Sequence, residues 1–319
     1  MKILFVIDKV EYKYFEFNNL VTNFWMIKQF RKACDVSITT VSNLSLVGAE
    51  AYAACNEVSI VGEDIVYSKR VSLELIDSFD LVFFRPDPPV DNTYINATYI
   101  FDFVKRAKVV NSPMAIRNFN EKLHSLMFRE YMPNTIVSAS LEEIEKFLQC
   151  NNEVILKPLD KCFGSGVFYL KSGDKNTRTI INTMTENQSS FVMAQKYISA
   201  VEKGDKRVLT LGDKVLDYSI VKHSTSDDFK FNTHSDEFIS KGVILEEEKQ
   251  KFTQVAKKLN SMGISMAGLD VIDGKIIEIN VTSPCYFIKE INNFFGVELE
   301  KEICDYFLVN YCSKVKNVV

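Results

Sequence analysis

The sequence predicts a mixed α/β (α+β) protein in which a parallel-sheet lobe covered by helices is followed by a region of antiparallel strand pairing. Three observations carry this reading. Strand-like and helical runs alternate through the first hundred residues, as βαβ units require. The rhythm breaks at Asn111-Ser112-Pro113. Beyond the break, short apolar runs follow one another across turns, the pattern of antiparallel pairing.

In the first lobe, Ile3 to Ile7 reads as a buried strand, Asn18 to Ala33 as a helix, and Val36 to Val41 and Asp80 to Arg85 as further strands. A helical stretch from Tyr94 to Arg106 leads into a short strand at Val109-Val110. The opening run has only five consecutive apolar residues before Asp8, too few for a signal-peptide core or a membrane span, and no later run approaches membrane length. A cytoplasmic protein is expected.

After the break, a helix with good capping candidates is expected through Asn120-Glu121-Lys122. Val154 to Lys157 and Val167 to Leu170 flank a glycine-containing turn, and Phe191 to Ile198, Lys206 to Leu211 and Val215 to Val221 add strands. The polar stretch from Lys222 to Gly242 has little hydrophobic periodicity and reads as a mobile loop, functional or partly disordered. Glu246 to Met262 reads as a helix, with Phe252, Val255, Ala256 and Leu259 at helical spacing. The boundaries expected are residues 1–119, 120–200 and 201–319.

Composition excludes several classes. The chain of 319 residues is 46% hydrophobic and 25% charged, ordinary values for a globular protein, and its net charge of −4 provides no basic field for nucleic acid or anionic membranes. Seven cysteines, an odd number without a Cys-x-x-Cys pair, read as reduced thiols, and three scattered histidines do not indicate zinc. The first strand is followed by Asp8-Lys-Val-Glu rather than Gly-x-Gly-x-x-Gly, which disfavours a dinucleotide-binding oxidoreductase.

The chemistry concentrates between Gly268 and Pro284. Ala267 to Ile272 and Ile276 to Val281 read as two strands of a hairpin joined by Asp273-Gly274-Lys275. A three-residue loop sets Asp270 opposite Glu278 and sorts Leu269, Val271, Ile277, Ile279 and Val281 onto a core face. Asp270, Glu278 and Asn280 then share the other face. Few oxygen ligands with open coordination positions suit Mg²⁺ bridging phosphates. The bland alternative is a half-exposed hairpin with acids on its wet side.

Six ordered segments extend the reading: Arg85-Pro-Asp-Pro-Pro89, Asn120-Glu-Lys-Leu123, Ile155-Leu-Lys-Pro-Leu-Asp160, Gly204-Asp-Lys-Arg-Val-Leu209, Gly268-Leu-Asp-Val-Ile272 and Glu278-Ile-Asn-Val-Thr-Ser-Pro284. In this order and spacing the chain resembles the bacterial glutathione synthetases, ligases of the ATP-grasp superfamily, from Met1 to about Leu308. The resemblance implies an ATP-grasp fold with a Rossmann-like first lobe and ATP enclosed between two antiparallel sheets. It implies Lys122 and Lys157 on the ATP phosphates, Gln195, Tyr197 and Ile198 along the adenine, and Asp205 near the ribose. It places Arg207 at the reacting phosphate and carboxylate, Mg²⁺ or Mn²⁺ on Asp270, Glu278 and Asn280, and Arg85 and Ser283 at the peptide substrate.

The chemistry so implied is phosphoryl transfer to the carboxylate of γ-glutamylcysteine and attack of glycine, or another amine, on the acyl phosphate. Such a reaction needs positioned cations more than a protein nucleophile. The resemblance also implies a homo-oligomer, a tetramer in the family. Three segments depart from the family. The phosphate loop reads Lys161-Cys-Phe-Gly-Ser-Gly166, leaving Gly164 and Gly166 for backbone approach to phosphate; the lid reads Asn232-Thr-His-Ser-Asp-Glu237; and Lys289 stands where an arginine is expected. A nucleotide-binding regulatory protein without catalysis is the competing class.

Overall fold

The structure, a computed structural model, describes residues 1–8, 19–62, 64–162, 164–224 and 238–312. The expected lid segment 232–237 lies outside them. Strand β1 (Lys2–Ile7) is apolar on both faces and occupies the middle of a seven-stranded sheet. It pairs in parallel with β2 (Asp35–Thr40) and β6 (Leu81–Phe84), and β6 pairs in parallel with β7 (Lys108–Val110). Burial on both faces is what a parallel strand between helical layers requires. Ile3, Phe5 and Ile7 pack with Phe83 against α1 (Asn19–Arg31) and Phe307, while Leu4 and Val6 pack with Phe84 and α2 (Asn92–Ile100).

The sheet is more mixed than the sequence suggests. β3 (Leu44–Val47), β4 (Glu50–Val61) and β5 (Asp64–Leu75) add an antiparallel extension on β2. The helix expected to reach Arg106 ends at Ile100, with one 3-10 turn to Phe103. The Asp77 carboxylate takes the N–H groups of Lys105, Arg106 and Ala107 at 2.7–3.0 Å, which holds that segment out of a helix.

A short helix, α3 (Pro113–Arg117), has Ser112 as its N-cap, whose hydroxyl accepts from Ala115 N–H. It stops before residue 120. Asn120-Glu121-Lys122 form a turn in which the Asn120 Oδ1 accepts from both Lys122 and Leu123 N–H, and a 3-10 stretch, His124–Tyr131, follows it. This corrects the helix expected there.

The second sheet has the order β10-β9-β11-β8, all antiparallel, from β8 (Thr135–Ser138), β9 (Glu153–Pro158), β10 (Phe168–Lys171) and β11 (Val192–Lys196). Helices α4 (Leu141–Asn151) and α5 (Thr177–Met184) cover one face through Ile144, Leu148 and Ile181.

The third sheet has the order β14-β13-β12-β15-β16, from β12 (Asp205–Leu211), β13 (Lys214–Lys222), β14 (Ile239–Lys241), β15 (Met266–Ile272) and β16 (Lys275–Asn280). Thus both described ends of the stretch read as a loop are strands. Helix α6 (Glu246–Ser261) seats Phe252, Val255, Ala256 and Leu259 on this sheet, as their spacing predicts.

Helices α7 (Ile288–Phe295) and α8 (Leu299–Cys312) return the chain to the first sheet. Asn111 joins the first and third sheets: its amide N–H groups donate to Met266 and Val281 carbonyls at 2.7 and 2.8 Å, and its Oδ1 accepts from Met266 N–H at 2.8 Å. Cys34, Cys55, Cys150, Cys162, Cys285 and Cys304 are free thiols.

Candidate active site

The β15–β16 hairpin turns in two residues, not three. Asp273 and Gly274 both have positive φ (49° and 70°) between the paired Ile272 and Lys275. That backbone suits a type I′ turn with the Asp-Gly sequence. A two-residue turn alone would set Asp270 and Glu278 on opposite faces. A bulge prevents this, since Val271 pairs with Ile276 while Asp270 pairs with Glu278, leaving Ile277 as the extra residue. The register expected for the two carboxylates therefore holds by a different route. The core residue is Ile276, fully buried, whereas Ile277 leaves the core face.

Asp270 is the hub of a buried ionic cluster. Arg207, opposite it on β12, grips both carboxylate oxygens, Nε to Oδ1 at 2.7 Å and Nη2 to Oδ2 at 3.1 Å. Lys222, at the end of β13, donates to Oδ1 at 2.9 Å, and Asn280 Nδ2 donates to Oδ2 at 3.0 Å. Gly268 makes the grip possible, because a Cβ there would lie 2.9 Å from Arg207 Cδ and Nη1. Lys222 also binds Asp205 Oδ2 at 2.5 Å, leaving the buried Asp205 Oδ1 without a partner among the described residues.

These surroundings drive the two carboxyls apart. Burial raises both, but Arg207 and Lys222 outweigh it at Asp270 and hold that group well below the carboxylate range. At Asp205 burial and the adjacent Asp270 charge prevail over Lys222, and its pKa is raised.

On the other side of the hairpin stand two lysines. Lys157, on β9, is 7% exposed, and its ammonium donates to Gln195 Oε1 at 3.0 Å and to the Ile277 carbonyl at 3.4 Å. Burial lowers its pKa, against the pull of Glu278. Lys122 is 6% exposed; it donates to the Lys161 carbonyl at 2.5 Å and lies 3.5 Å from Glu278 Oε1. Glu278 is thus shared between the acidic hairpin and the lysines.

Gln195 is buried on β11, where its Nε2 also donates to Thr135. Tyr197 stacks edge-on against Tyr169 with ring centroids 5.0 Å apart, and its N–H donates to the Glu153 carbonyl; Ile198 follows, half-buried. Gly164 and Gly166 both have positive φ (68° and 71°) in the loop before β10, a backbone that glycine adopts without strain.

The structure places Arg85 fully buried at the end of β6. Its Nε donates to Asn23 Oδ1 at 2.5 Å and its Nη2 to the Pro284 carbonyl at 2.9 Å, so the guanidinium ties α1 to the loop after β16. Ser283, in that loop, is buried, and its hydroxyl has no partner among the described residues. Lys289 is exposed on the first turn of α7.

Sequence reasoning passed over two residues that the fold brings to the site. Lys222 looked like the start of a polar loop, although it follows a strand-like run. Glu121 was part of a recognised segment but had no role. Its half-buried carboxylate accepts from Val281 N–H, Thr282 N–H and Thr282 Oγ1 at 2.6–3.1 Å, and burial followed by the Glu278 charge raises its pKa.

Residues 1–117 match the N-terminal domain of prokaryotic glutathione synthetase, and residues 121–296 match its ATP-grasp domain. A glutathione synthetase of a Nostoc species is 32% identical over 282 residues, 84% of this chain and 86% of that one. Among solved structures, a D-cycloserine synthetase superposes with a TM-score of 0.69 at 12% identity over 97% of this chain and 99% of that one. A D-Ala:D-Ser ligase of Enterococcus faecalis gives 0.61 at 14% over 97% and 99%. These two likenesses show the ATP-grasp fold. The residue matches and the curated relatives show more: this chain is a member of the prokaryotic glutathione synthetase family.

Proposed function

We propose that the chain joins γ-glutamylcysteine to glycine, using ATP to activate the peptide carboxylate as an acyl phosphate and releasing ADP and phosphate. Membership of a family of ATP-dependent peptide-forming ligases supports the reaction class. One observation carries the site: Lys122 and Lys157, buried on different segments, converge on β16, Lys122 3.5 Å from the Glu278 carboxylate and Lys157 on the Ile277 carbonyl beside it. Two desolvated ammonium groups held mainly by carbonyl and amide oxygens are suited to an anionic ligand. Triphosphate is that ligand in this reading.

Asp270, Glu278 and Asn280 are the residues to hold a divalent ion, Mg²⁺ or Mn²⁺. Two carboxylates and an amide oxygen are hard donors suited to such an ion, and the cations gathered on Asp270 support a reading in which positive charge is held there. Bound there, a divalent ion would supply positive charge to offset that of the phosphates. Lys122 and Lys157 neutralise the departing phosphates. Arg207 and Lys222, anchored through Asp270, present fixed positive charge where the acyl phosphate forms. Gln195, Tyr197 and Ile198 border the adenine, and Asp205 directs its Oδ1 to the ribose.

Gly164 and Gly166 let backbone approach phosphate. Ser283 offers its hydroxyl to the peptide. Arg85, with its guanidinium already engaged, acts by positioning the 283–286 loop, and Lys289 is a peripheral charge at the substrate entrance. The three sheets correspond in this reading to lobes 1–119, 120–200 and 201–319.

The decisive assay supplies Mg-ATP, γ-glutamylcysteine and a panel of amines, and scores phosphate release and product mass. Product with glycine is expected; product only with another amine overturns the acceptor, and no turnover with any overturns the ligase reading. Glu278→Ala is expected to abolish turnover with the fold intact. Full activity in that variant overturns the metal assignment.

A further inference from the structure

β16 is the outer strand of the third sheet, and the edge it turns away from β15 is not left open. Backbone N–H groups two residues apart leave a strand on the same side. Here two such groups land on one residue of the 120–122 turn. Ile279 N–H donates to the Glu121 carbonyl at 3.2 Å, and Val281 N–H donates to Glu121 Oε1 at 2.6 Å. The same Oε1 takes Thr282 N–H at 3.0 Å and the Thr282 hydroxyl at 3.1 Å. Asn280, between the two attachments, cannot shift along the strand without breaking one of them.

The neighbours of Glu121 reach the other way. Asn120 Nδ2 donates to the Leu159 carbonyl at 2.9 Å, and Lys122 Nζ donates to the Lys161 carbonyl at 2.5 Å. Both acceptors lie just beyond β9, a strand of the second sheet. The turn is thus a joint, with Asn120 and Lys122 holding the second sheet and Glu121 the third. Lys122 Nζ also stands 3.5 Å from Glu278 Oε1.

We propose that Glu121 is a positioning residue for phosphoryl transfer, fixing Asn280 and Glu278 relative to the Lys122 ammonium through its acceptor oxygen Oε1. The inference rests on the reading of Lys122 as a phosphate ligand and of Asp270, Glu278 and Asn280 as ion ligands. Position rather than charge is what the geometry asks of Glu121, because all three side-chain contacts end on a single oxygen, which an amide also offers. Groups that orient metal ligands typically change ion affinity or activity by about 10- to 100-fold when removed.

Mn²⁺ titrated into the full chain saturated with a non-hydrolysable ATP analogue, followed by electron paramagnetic resonance, reads the ion site without turnover. Glu121→Ala removes the oxygen and Glu121→Asp draws it back by one methylene; each is expected to weaken Mn²⁺ roughly 10- to 100-fold. Glu121→Gln keeps the oxygen at the same reach and is expected to stay within roughly threefold of the native chain. With γ-glutamylcysteine and glycine, KM for Mg-ATP should rise and kcat should fall in the same order of variants. A residue that merely fastened the loop would lower the melting temperature and leave ion affinity and kcat native in every folded variant. That result overturns the proposal, as does a Gln variant as weak as the Ala variant or an Asp variant as tight as the native chain. The Gln and Asp variants keep the test in force should Glu121→Ala not fold. A native chain that binds Mn²⁺ with the analogue but forms no peptide product overturns the ligase reading alone, since the titration needs neither peptide nor amine. A native chain that binds no Mn²⁺ overturns the metal assignment and this inference together.

Discussion

The two sides of the β15–β16 hairpin handle buried charge in opposite ways. Around Asp270 the charges are balanced within the protein: two cations, Arg207 and Lys222, face two carboxylates, Asp270 and Asp205, at 2.5–3.1 Å. Around Lys157 and Lys122 the cations rest chiefly on amide and carbonyl oxygens, with Glu278 at 3.5 Å from Lys122. The first arrangement is balanced by protein charges before any ion binds. The second is one that an anionic ligand completes. Stability should therefore depend mainly on the first, which also offers the divalent ion its ligands, and affinity for the anionic phosphates mainly on the second.

Asp270→Ala breaks the comparison hardest. It strands Arg207 and Lys222 in the interior, and removing one partner of a buried network costs about 3–5 kcal/mol. Denaturant unfolding is expected to register that loss along with the loss of turnover. A variant as stable as the native chain would mean that the cluster is not the structural hub.

Lys157→Met sharpens the contrast, since it alters an equally buried charge with the opposite consequence. The ammonium's desolvation is removed and the thioether fills similar volume, at the expense of one donor to Gln195. The net change in stability is expected to stay within about 1 kcal/mol of zero. Affinity for ATP, measured by calorimetry, should fall roughly 10- to 100-fold, the size of one charge-assisted contact. If Lys157→Met instead unfolded the protein and left ATP binding intact, the division between the two sides would collapse.

Much of this was legible in the chain because the relevant signals are local. Alternation placed Asp270, Glu278 and Asn280 on neighbouring strands, and apolar runs located β1, β6, β9 and β12 to within a residue or two. What escaped notice depends on geometry between elements. The bulge at Ile277 leaves no mark in periodicity, so the right pairing was reached through the wrong turn. Lys222 becomes part of the site only because β13 lies beside β12, opposite β15. Asn111 carries no motif, and its three hydrogen bonds exist only once the first and third sheets meet. The β4–β5 hairpin was passed over because charged residues interrupt its apolar alternation, although Val61-Gly62-Glu63-Asp64 offers a turn signal.

The smallest effect separates charge stabilised by cations from charge stabilised by peptide groups. Asp77 receives three backbone N–H groups, from Lys105, Arg106 and Ala107. Partial burial opposes its ionisation, but these donors outweigh that opposition and lower its pKa. A carboxyl depressed on folding contributes stability that is full above its unfolded pKa, about 3.9, and is lost as pH falls through the lower folded value. Asp77→Asn keeps an acceptor but removes the charge, so it should cost about 1 kcal/mol at neutral pH, the scale suited to a group largely in solvent. Unfolding curves for the two proteins are expected to differ by that constant amount from pH 7 down to about pH 4, and to converge in more acidic solution. A gap that persists unchanged into acid would show that Asp77 holds the 105–107 segment by shape alone, without help from its charge.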